Sequence, residues 1–340
     1  MISILGGGVA GAALAWALTR RGYREVRVFD PHPPASGSTG KALGGFRTQQ
    51  GSATNIELSL ASRPFFVEHA DRVRFKSNGY LYLAESAAVA EELRRRAEFQ
   101  RACGLPIEHP EPKAKVPFLK TDDVEGVNFC ALDGVYQPPL ILQAFAEEAS
   151  AEGAQFRYGA TADERGIEAS RAVVVAAGIW SREVGESLGV ALEVTPLERG
   201  VFQVGPFDWL QDTIPMTLDA GSGYHFRERD GRLLVIGPGD QHEWDHYREW
   251  LTRRAPAAAL AQPELHWTGY YEMSFDNHPL VGRTARDGVW ASCGFSGHGV
   301  MHSPAIADSL SAMILGETPP VDISALDPLR TEGLTDVTQL

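Results

Sequence analysis

The first thirty residues constrain the fold of this chain more than any other stretch. A short apolar run, Ile2–Leu5, is followed by the sequence G-x-G-x-x-G at positions 6–11 and by an Ala- and Leu-rich segment with helical character. A second apolar run at positions 26–29 ends in Asp30. This order predicts a strand–helix–strand unit that binds a dinucleotide, with a pyrophosphate at the helix N-terminus and a ribose at the acidic side chain.

Each position of the glycine motif has its own physical role. Gly6 permits a tight turn, Gly8 allows the backbone to approach a pyrophosphate, and Gly11 allows the helix to pack closely on the strand. Val9 and Ala10 contribute backbone amides at the start of the helix, where an anion binds well. The alternative, a glycine-rich turn that binds no dinucleotide, is disfavoured because the whole unit is present.

Composition restricts the partners and the compartment. The chain has 340 residues, enough for two domains, and its 44% hydrophobic content is ordinary for a globular protein. The formal net charge of −13 disfavours a nucleic-acid partner. No apolar run reaches the roughly 18–20 residues needed to cross a bilayer, and the N-terminus lacks the basic leader of a signal peptide. Cys103, Cys130 and Cys293 are too scattered for a disulfide framework or a zinc site, so we expect a cytoplasmic protein with no metal and no membrane insertion.

Later segments indicate the rest of the architecture. Residues 172–178 are predicted to form a buried strand that ends in small residues, and a strand at Val289–Cys293 is followed by a glycine loop at 294–299 and a predicted helix over Ser303–Leu315. Such strands meet a nucleotide at their carboxyl ends in a doubly wound sheet. Between them, residues 192–271 change to short alternating segments, which predict antiparallel strands. The expected fold class is therefore α/β, or α+β overall.

The loop that follows Asp30 is predicted to complete the nucleotide site. Residues 35–47 are rich in Ser, Thr and Gly, whose hydroxyl and amide groups can face the same pyrophosphate. Gly44 and Gly45 would let the backbone press against a flat ring. A flexible surface loop without a ligand is the alternative for these residues.

Eight motifs occur along the chain in an order typical of one protein family. They are GGGVAGAALAWAL at 6–18, ASGSTGKALGGFRTQQ at 35–50, GYLYLA at 79–84, LDGVYQPP at 132–139, VVVAAGIWS at 173–181, GYHFRERDGRLLVIGPGD at 223–240, GYYEMSFDNHPLVG at 269–282 and CGFSGHGVMHSPAIAD at 293–308. With them the chain resembles the FAD-dependent amine and amino-acid oxidoreductases, which include sarcosine oxidase, glycine oxidase and D-amino-acid oxidase. The similarity is greatest to the β subunit of heterotetrameric sarcosine oxidase and to FAD-dependent L-proline dehydrogenases.

The resemblance implies FAD as cofactor and two interleaved domains. A Rossmann-type FAD-binding domain would be discontinuous, and a mainly antiparallel β-sheet domain would bind the substrate. The implied FAD-binding domain comprises residues 1–75, 137–195 and 275–330, the substrate domain comprises residues 76–136 and 196–274, and residues 331–340 form a C-terminal tail. The implied cofactor contacts are Gly6, Gly8, Val9, Ala10, Gly11, Asp30, Ser38, Thr39, Lys41, Gly44, Gly45, Ala177, Gly178, Trp180, Gly294, Gly297, His298, Gly299, Val300 and Met301.

The resemblance also implies the reaction and its catalytic residues. The enzyme would oxidise the CH–NH bond of a small amino acid or N-substituted glycine, such as sarcosine or proline, by hydride transfer to the flavin N5, and water would hydrolyse the imine product. Arg47 corresponds to an arginine that relatives place at the flavin, where a planar guanidinium can pair with the substrate carboxylate. Tyr224 would donate to the same carboxylate, and His298 would stabilise charge at the flavin. A surface arginine and a core tyrosine are the alternatives for Arg47 and Tyr224.

Departures from the relatives narrow these implications. The stretch Gly269-Tyr270-Tyr271 lacks the cysteine that attaches FAD in monomeric sarcosine oxidases, so non-covalent FAD is expected. Tyr271, the fourth implied catalytic residue, stands where glycine oxidase has an arginine, and Met301 stands where monomeric sarcosine oxidase has a lysine. The lysine that promotes the oxygen reaction in that enzyme aligns near Val235. Both O2 and another electron acceptor therefore stay open.

Three other functions stay open from the sequence. The protein could be a dehydrogenase that passes electrons to a partner subunit or a quinone. It could be an FAD-dependent tRNA-modification enzyme, although its acidity disfavours that function. It could also be a non-catalytic flavoprotein subunit. The sequence leaves open the substrate and its stereochemistry. It also leaves open whether the protein is a homo-oligomer or a complex with an electron-transfer subunit.

Overall fold

Two large β-sheets carry the fold. The computed structural model describes residues 1–163, 167–334 and 336. Within these residues the first sheet has six strands, in the spatial order β15 (Leu280–Arg283), β16 (Val289–Cys293), β9 (Ala172–Val175), β1 (Ile2–Leu5), β2 (Val26–Asp30) and β8 (Gln155–Tyr158). All neighbouring strands are parallel except the pair β15–β16. The N-terminal strand thus lies inside a largely parallel sheet, as the motif predicts.

The second sheet is mainly antiparallel. In the described part of the chain it has eight strands, in the order β14 (Pro263–Met273), β10 (Thr195–Val204), β13 (Arg232–Ile236), β12 (His225–Arg229), β11 (Met216–Asp219), β4 (Tyr80–Ala84), β6 (Gly126–Cys130) and β5 (Ile107–Glu108). Only the pair β4–β11 is parallel among these strands. A short ribbon pairs β3 (Gly45–Phe46) with β7 (Gly134–Val135). The predicted α/β class with a mainly antiparallel second sheet is confirmed.

Helices connect and cover the strands. The described helices are α1 (Val9–Arg20), α2 (Ser38–Lys41), α3 (Ala53–Glu68), α4 (Ala70–Val73), α5 (Ala87–Ala102), α6 (Pro112–Lys115), α7 (Pro138–Ala151), α8 (Ser181–Ser187), α9 (Trp244–Arg254), α10 (Pro256–Ala259) and α11 (Gly299–Leu315), with 3₁₀ turns at Gly178–Trp180 and Ser324–Leu326. None of these helices combines the length and the apolar character that a membrane crossing requires.

The core of the first sheet lies under α1, α7 and α11. Leu14 and Leu18 of α1, Phe145 of α7 and Leu310 of α11 are fully buried in one cluster. Burial of each large apolar side chain contributes about 1.5–3 kcal/mol. The start of α1 is therefore held rigidly above β1, where the glycine motif needs it.

The two faces of the second sheet have different chemistry. On one face, Phe202, Phe226 and Val235 pack against Tyr247 and Trp250 of α9. Side chains alternate along a strand, so the neighbours of these residues point to the opposite face. That opposite face turns toward the loop after α2 and forms one wall of the site described below.

The strands of the two sheets come from interleaved segments of the chain. Those of the first sheet fall within residues 1–75, 137–195 and 275–330, and those of the second within 76–136 and 196–274, except that β10 begins at Thr195. The domain limits themselves stay a prediction. Of the predicted tail, residues 335 and 337–340 lie outside the described residues.

Candidate active site

A cavity of about 440 Å³ lies at the carboxyl ends of β1, β2 and β9. Its walls include the glycine turn, the loop after Asp30 and the small residues after β9, with members Gly6, Gly8, Val9, Ala10, Asp30, His32, Ser38, Thr39, Ala177, Gly178, Trp180, Glu183, Glu272, Phe295 and Gly299. This is the edge of a doubly wound sheet at which nucleotides bind.

The glycine motif shapes one end of the cavity. Gly6 has a φ of +117°, and a Cβ on it would lie 2.1 Å from the Ala176 carbonyl oxygen, while a Cβ on Gly11 would lie 1.9 Å from the Gly6 carbonyl oxygen. Gly8 begins α1 without any side-chain cap. The Val9 N–H donates to Thr39 Oγ1 at 3.2 Å. Beyond Val9, the first amides of α1, at Ala10 and Gly11, are oriented to bind an anion.

Asp30 lies at the end of β2 beside the same turn. Its Oδ2 accepts the Gly7 N–H at 2.8 Å, and its Oδ1 accepts the His32 N–H at 2.9 Å. The Tyr158 hydroxyl donates to the Gly7 carbonyl at 3.1 Å. These bonds fix the carboxylate in the cavity wall, where its remaining lone pairs can accept ribose hydroxyls.

A second cavity of about 90 Å³ continues from the first. The two share Val9, Ser38, Thr39, Glu272, Phe295 and Gly299 as wall residues. The smaller cavity is also lined by Lys41, Leu43, Arg199, Ile236, Tyr271, Gly297 and Val300. The joined cavities form one elongated site between the two sheets.

This site fits the FAD that the resemblance implies. The uncapped start of α1 would hold the pyrophosphate, Asp30 the adenosine ribose, and the smaller cavity the ring end. No group of three or more His, Cys, Asp or Glu side chains that could hold a metal ion occurs among the described residues.

Arg47 follows β3 and is bonded to residues from both sheets. Its Nη1 donates to the Tyr82 hydroxyl of β4 at 2.9 Å, and its Nη2 donates to His298 Nε2 at 2.8 Å. Burial acts to lower the pKa of Arg47, but Tyr82 and the other nearby groups raise it overall. The guanidinium is therefore permanently charged, and its bonds to Tyr82 and His298 use two of its five N–H donors.

His298 precedes α11 and is held as a neutral imidazole. Burial, followed by the charge of Arg47, lowers its pKa well below the ordinary value. Arg47 can only donate, so Nε2 accepts and the proton must reside on Nδ1. His298 Nδ1 has no hydrogen-bond partner among the described residues. Arg47 and His298, which were predicted separately as site residues, are thus in direct contact.

Asp133 holds the backbone that carries Arg47. This carboxylate is fully buried and accepts the Thr48 N–H at 2.5 Å, the Thr48 hydroxyl at 2.5 Å and Gln49 Nε2 at 2.9 Å. Burial raises the pKa of Asp133 to about 6, against the effect of these hydrogen bonds. Ser59 Oγ donates to the Arg47 carbonyl at 2.9 Å. Asp133 and Ser59 therefore position the backbone at Arg47, while Tyr82 and His298 hold its guanidinium.

The structure does not bring Tyr224 together with Arg47. Tyr224 lies on the α9 side of the second sheet, where its ring stacks on Trp250 at 5.6 Å and meets Tyr247 edge-on at 5.5 Å. Its neighbour His225 lies on the other side, where burial and the charge of Arg47 contribute to a pKa lowered to about 4. His225 is a residue that the sequence interpretation missed.

Tyr271 and Arg199 meet in the smaller cavity. The Arg199 guanidinium lies 5.7 Å from the Tyr271 ring centroid, and both residues line the cavity. Burial raises the pKa of Tyr271, so its phenol is neutral and can donate. Arg199 was not predicted, since only the pairing of β10 with β14 places it beside Tyr271.

The other predicted cofactor residues divide into three groups. The first lines the large cavity, the smaller cavity or both and consists of Gly6, Gly8, Val9, Ala10, Asp30, Ser38, Thr39, Lys41, Ala177, Gly178, Trp180, Gly297, Gly299 and Val300. Gly11, Gly44 and Gly45 form a second group, in which an added Cβ would collide with protein atoms. Gly294 and Met301 form the third group. Gly294 lies against Leu280 and Ser274, and the sulfur of Met301 lies 3.9 Å from Gln50 Nε2 in the core.

The glycine pair also allows close packing within the protein. A Cβ on Gly44 would lie 2.2 Å from the Tyr136 carbonyl oxygen, and one on Gly45 would lie 1.7 Å from the Tyr80 hydroxyl. Protein atoms therefore occupy the positions that side chains of these two residues would take, and contact of their backbone with a flat ring stays a prediction. Val235 likewise lies under α9, and its neighbour Ile236 faces the smaller cavity.

Comparison with known proteins also indicates an FAD-dependent oxidoreductase. The chain matches the family described as DAO: FAD dependent oxidoreductase over residues 1–313. It is 28% identical to FAD-dependent oxidoreductase domain-containing protein 1 of Xenopus laevis over 92% of this chain and 79% of that protein. It is 27% identical to glycine oxidase of Geobacillus kaustophilus over 89% of each. Human mitochondrial dimethylglycine dehydrogenase is 25% identical over 96% of this chain, which spans 44% of that protein.

A solved structure shares the fold. The L-proline dehydrogenase from P. horikoshii superposes with a TM-score of 0.89, at 24% identity, over 97% of this chain and 96% of that chain. The chain belongs to the DAO family of FAD-dependent oxidoreductases. It is a flavoprotein enzyme, so the predicted family, enzyme class and cofactor are confirmed.

Proposed function

We propose that this protein oxidises the CH–NH bond of a small amino acid or N-substituted glycine that carries a free carboxylate. The observation that carries the proposal is the charged Arg47 guanidinium, whose bonds to His298 and Tyr82 use two of its five N–H donors. The names of relatives support it, because glycine, dimethylglycine and L-proline all join an amine to a carboxylate. Bound FAD supplies the hydride acceptor.

The chain's own residues have distinct roles in this proposal. Arg47 binds the carboxylate bidentately and so orients the carbon next to the amine. His298 donates a hydrogen bond through Nδ1. Because its imidazole is neutral, it does not add a second cation beside Arg47. His225 keeps an unprotonated Nε2, because its Nδ1 donates to the Gly223 carbonyl at 3.0 Å, and so can accept a proton from the amine. Tyr271 is a further donor in the smaller cavity.

The proposal is tested by anaerobic flavin reduction. Purified yellow protein is mixed without oxygen with sarcosine, L-proline, D-amino acids, glycine and N-alkyl glycines, and bleaching is recorded. Arg47→Lys and Arg47→Ala are compared with Arg253→Lys, a change on the exposed side of α9. We expect the dissociation constant of the bleaching substrate to rise at least about tenfold in both Arg47 variants, since a charged hydrogen bond contributes about 1.5–3 kcal/mol.

Unchanged reduction in Arg47→Ala would remove Arg47 from this role. The same samples, opened to air, separate the two kinds of electron acceptor. Rapid recolouring indicates an oxidase, and slow recolouring favours a dehydrogenase that passes electrons to a partner subunit or quinone. No bleaching by any compound would favour a larger amine or the non-catalytic alternative.

A further inference from the structure

Glu272 occupies a position that the mechanism above does not use. It lies on β14 and lines both the large and the smaller cavity, at the junction of the two. The pyrophosphate and the ring of FAD would lie on either side of this junction. A carboxylate here faces the cofactor segment that joins them.

The surroundings of Glu272 lack a compensating cation. Its Oε2 accepts the Gly294 N–H at 3.1 Å, and no Lys, Arg or His side chain among residues 1–163, 167–334 and 336 lies within 4 Å of it. Burial raises the pKa of Glu272 to about 7, against the opposite effect of backbone hydrogen bonds from Gly294 and Phe295. In the protein without its cofactor, the carboxyl group is therefore divided between its charged and neutral forms near neutral pH.

Other titratable groups surround the junction at greater distance. From β16, the buried Cys293 faces Glu272, and the Glu272 charge contributes to raising the pKa of that thiol. The smaller cavity adds Arg199, Tyr271 and Lys41, and the large cavity adds Asp30, His32 and Glu183. Among the described residues, neither Arg199 nor Lys41 lies within ion-pair distance of Glu272.

FAD brings two negative phosphate charges into the cavity and displaces water from it. Both changes disfavour a carboxylate, because like charge and desolvation each raise the pKa of an acid. A protonated carboxyl instead supplies an O–H donor to the polar chain between pyrophosphate and ring. We propose that Glu272 holds the cofactor in its protonated form, so that binding of FAD takes up one proton at and above neutral pH.

The proposal predicts that the affinity for FAD falls as the pH rises. Below pH 7 the group is already protonated in the free protein, so affinity for FAD is at its full value. Above pH 7 each pH unit removes about a factor of ten from the population of the competent form. The dissociation constant of FAD should therefore rise about tenfold between pH 7.5 and pH 8.5. Substrate plays no part, so this inference and the proposed function can fail separately.

The experiment measures release of FAD from the holoenzyme. Dilution series between pH 6 and pH 9 give the dissociation constant from the fluorescence of released flavin. We expect Glu272→Gln, whose amide keeps an acceptor for the Gly294 N–H, to bind tightly with no pH dependence. Glu183→Gln, an exposed carboxylate of the same cavity, should keep the wild-type slope.

A wild-type dissociation constant that is constant from pH 6 to pH 9, or an unchanged slope in Glu272→Gln, would overturn the proposal. If that variant does not fold, calorimetry on the wild type decides. Heats of FAD binding at pH 8 in phosphate and in Tris give the number of protons exchanged. Uptake of about one proton supports the proposal, and zero exchange or release contradicts it.

Discussion

At the scale of single residues, the site depends on which face of a strand each side chain occupies. Tyr224 and His225 are adjacent. Tyr224 stacks on Trp250, whereas the charge of Arg47 acts on His225. A shift of one residue in the register of β12 would exchange them. The aromatic packing around Tyr224 under α9 determines which of the two reaches the site.

This placement predicts different effects for two substitutions. Tyr224→Phe should leave the rate of flavin reduction within about twofold of wild type, since its hydroxyl does not face the site. His225→Gln should slow reduction at least about tenfold, as expected for the loss of a proton acceptor. Stopped-flow bleaching under anaerobic conditions measures both. Equal slowing in the two variants would show that β12 presents the other face.

At the scale of elements, the second sheet is attached to the loop after α2 by one buried arginine. Nη1 of Arg227, on β12, donates to the carbonyls of Leu43 at 2.8 Å, Gly44 at 2.6 Å and Tyr136 at 2.8 Å. Burial lowers the pKa of Arg227 to about 10, so it is still charged at neutral pH. The loop that leads to Arg47 is therefore held against the sheet by a cation.

Removal of this cation should loosen the attachment. Arg227→Met removes the charged donor from the Leu43 and Tyr136 carbonyls, while the Gly44 carbonyl keeps the Tyr136 N–H, and we expect a loss of at least about 3 kcal/mol of unfolding free energy. Urea unfolding monitored by tryptophan fluorescence measures it. Arg232→Met, on the neighbouring strand, removes an ion pair with the exposed Glu264 and an exposed bond to the Asp230 carbonyl; it serves as control and should cost less than about 1 kcal/mol. A similar cost for both variants would contradict this role of Arg227.

At the scale of the whole molecule, the site exists only where the two sheets meet. Tyr82 comes from the second sheet, and His298 precedes the helix that covers the first, while Arg47 lies between them. Behind this contact, His302 is fully buried and its Nε2 lies 2.9 Å from Ser59 Oγ. Closure of the two halves thus excludes water from a group of histidines.

The buried histidines should make the protein sensitive to acid. Burial, with a further contribution from Arg47, lowers the pKa of His302 from its ordinary value of 6.5 to about 3. A group with a depressed folded pKa gives stability that is present above pH 6.5 and is lost as the pH falls toward pH 3. The difference in unfolding free energy between wild type and His302→Gln should therefore shrink by about 1.4 kcal/mol per pH unit below 6.5.

Urea unfolding of the FAD-saturated protein at pH 7.5, 6 and 5 measures this difference. His246→Gln, at an exposed position of α9, is the matched control, and its difference from wild type should change little with pH. A constant difference for His302→Gln would mean that His302 accepts a proton without cost in the folded protein.

The sequence by itself determined the parts of this protein that depend on local chemistry. The glycine spacing, the strands around it and Asp30 specify a nucleotide site, because turn geometry and helix-terminal amides act within about thirty residues. Arg47 and His298 were predicted as site residues from the resemblance to the family, and the structure places the two in contact. The tertiary structure alone decided that His225 rather than Tyr224 faces Arg47, and that Asp133 and Glu272 have raised pKa values. The reason is physical: strand register and desolvation arise from distant segments packed together, and no local pattern records them.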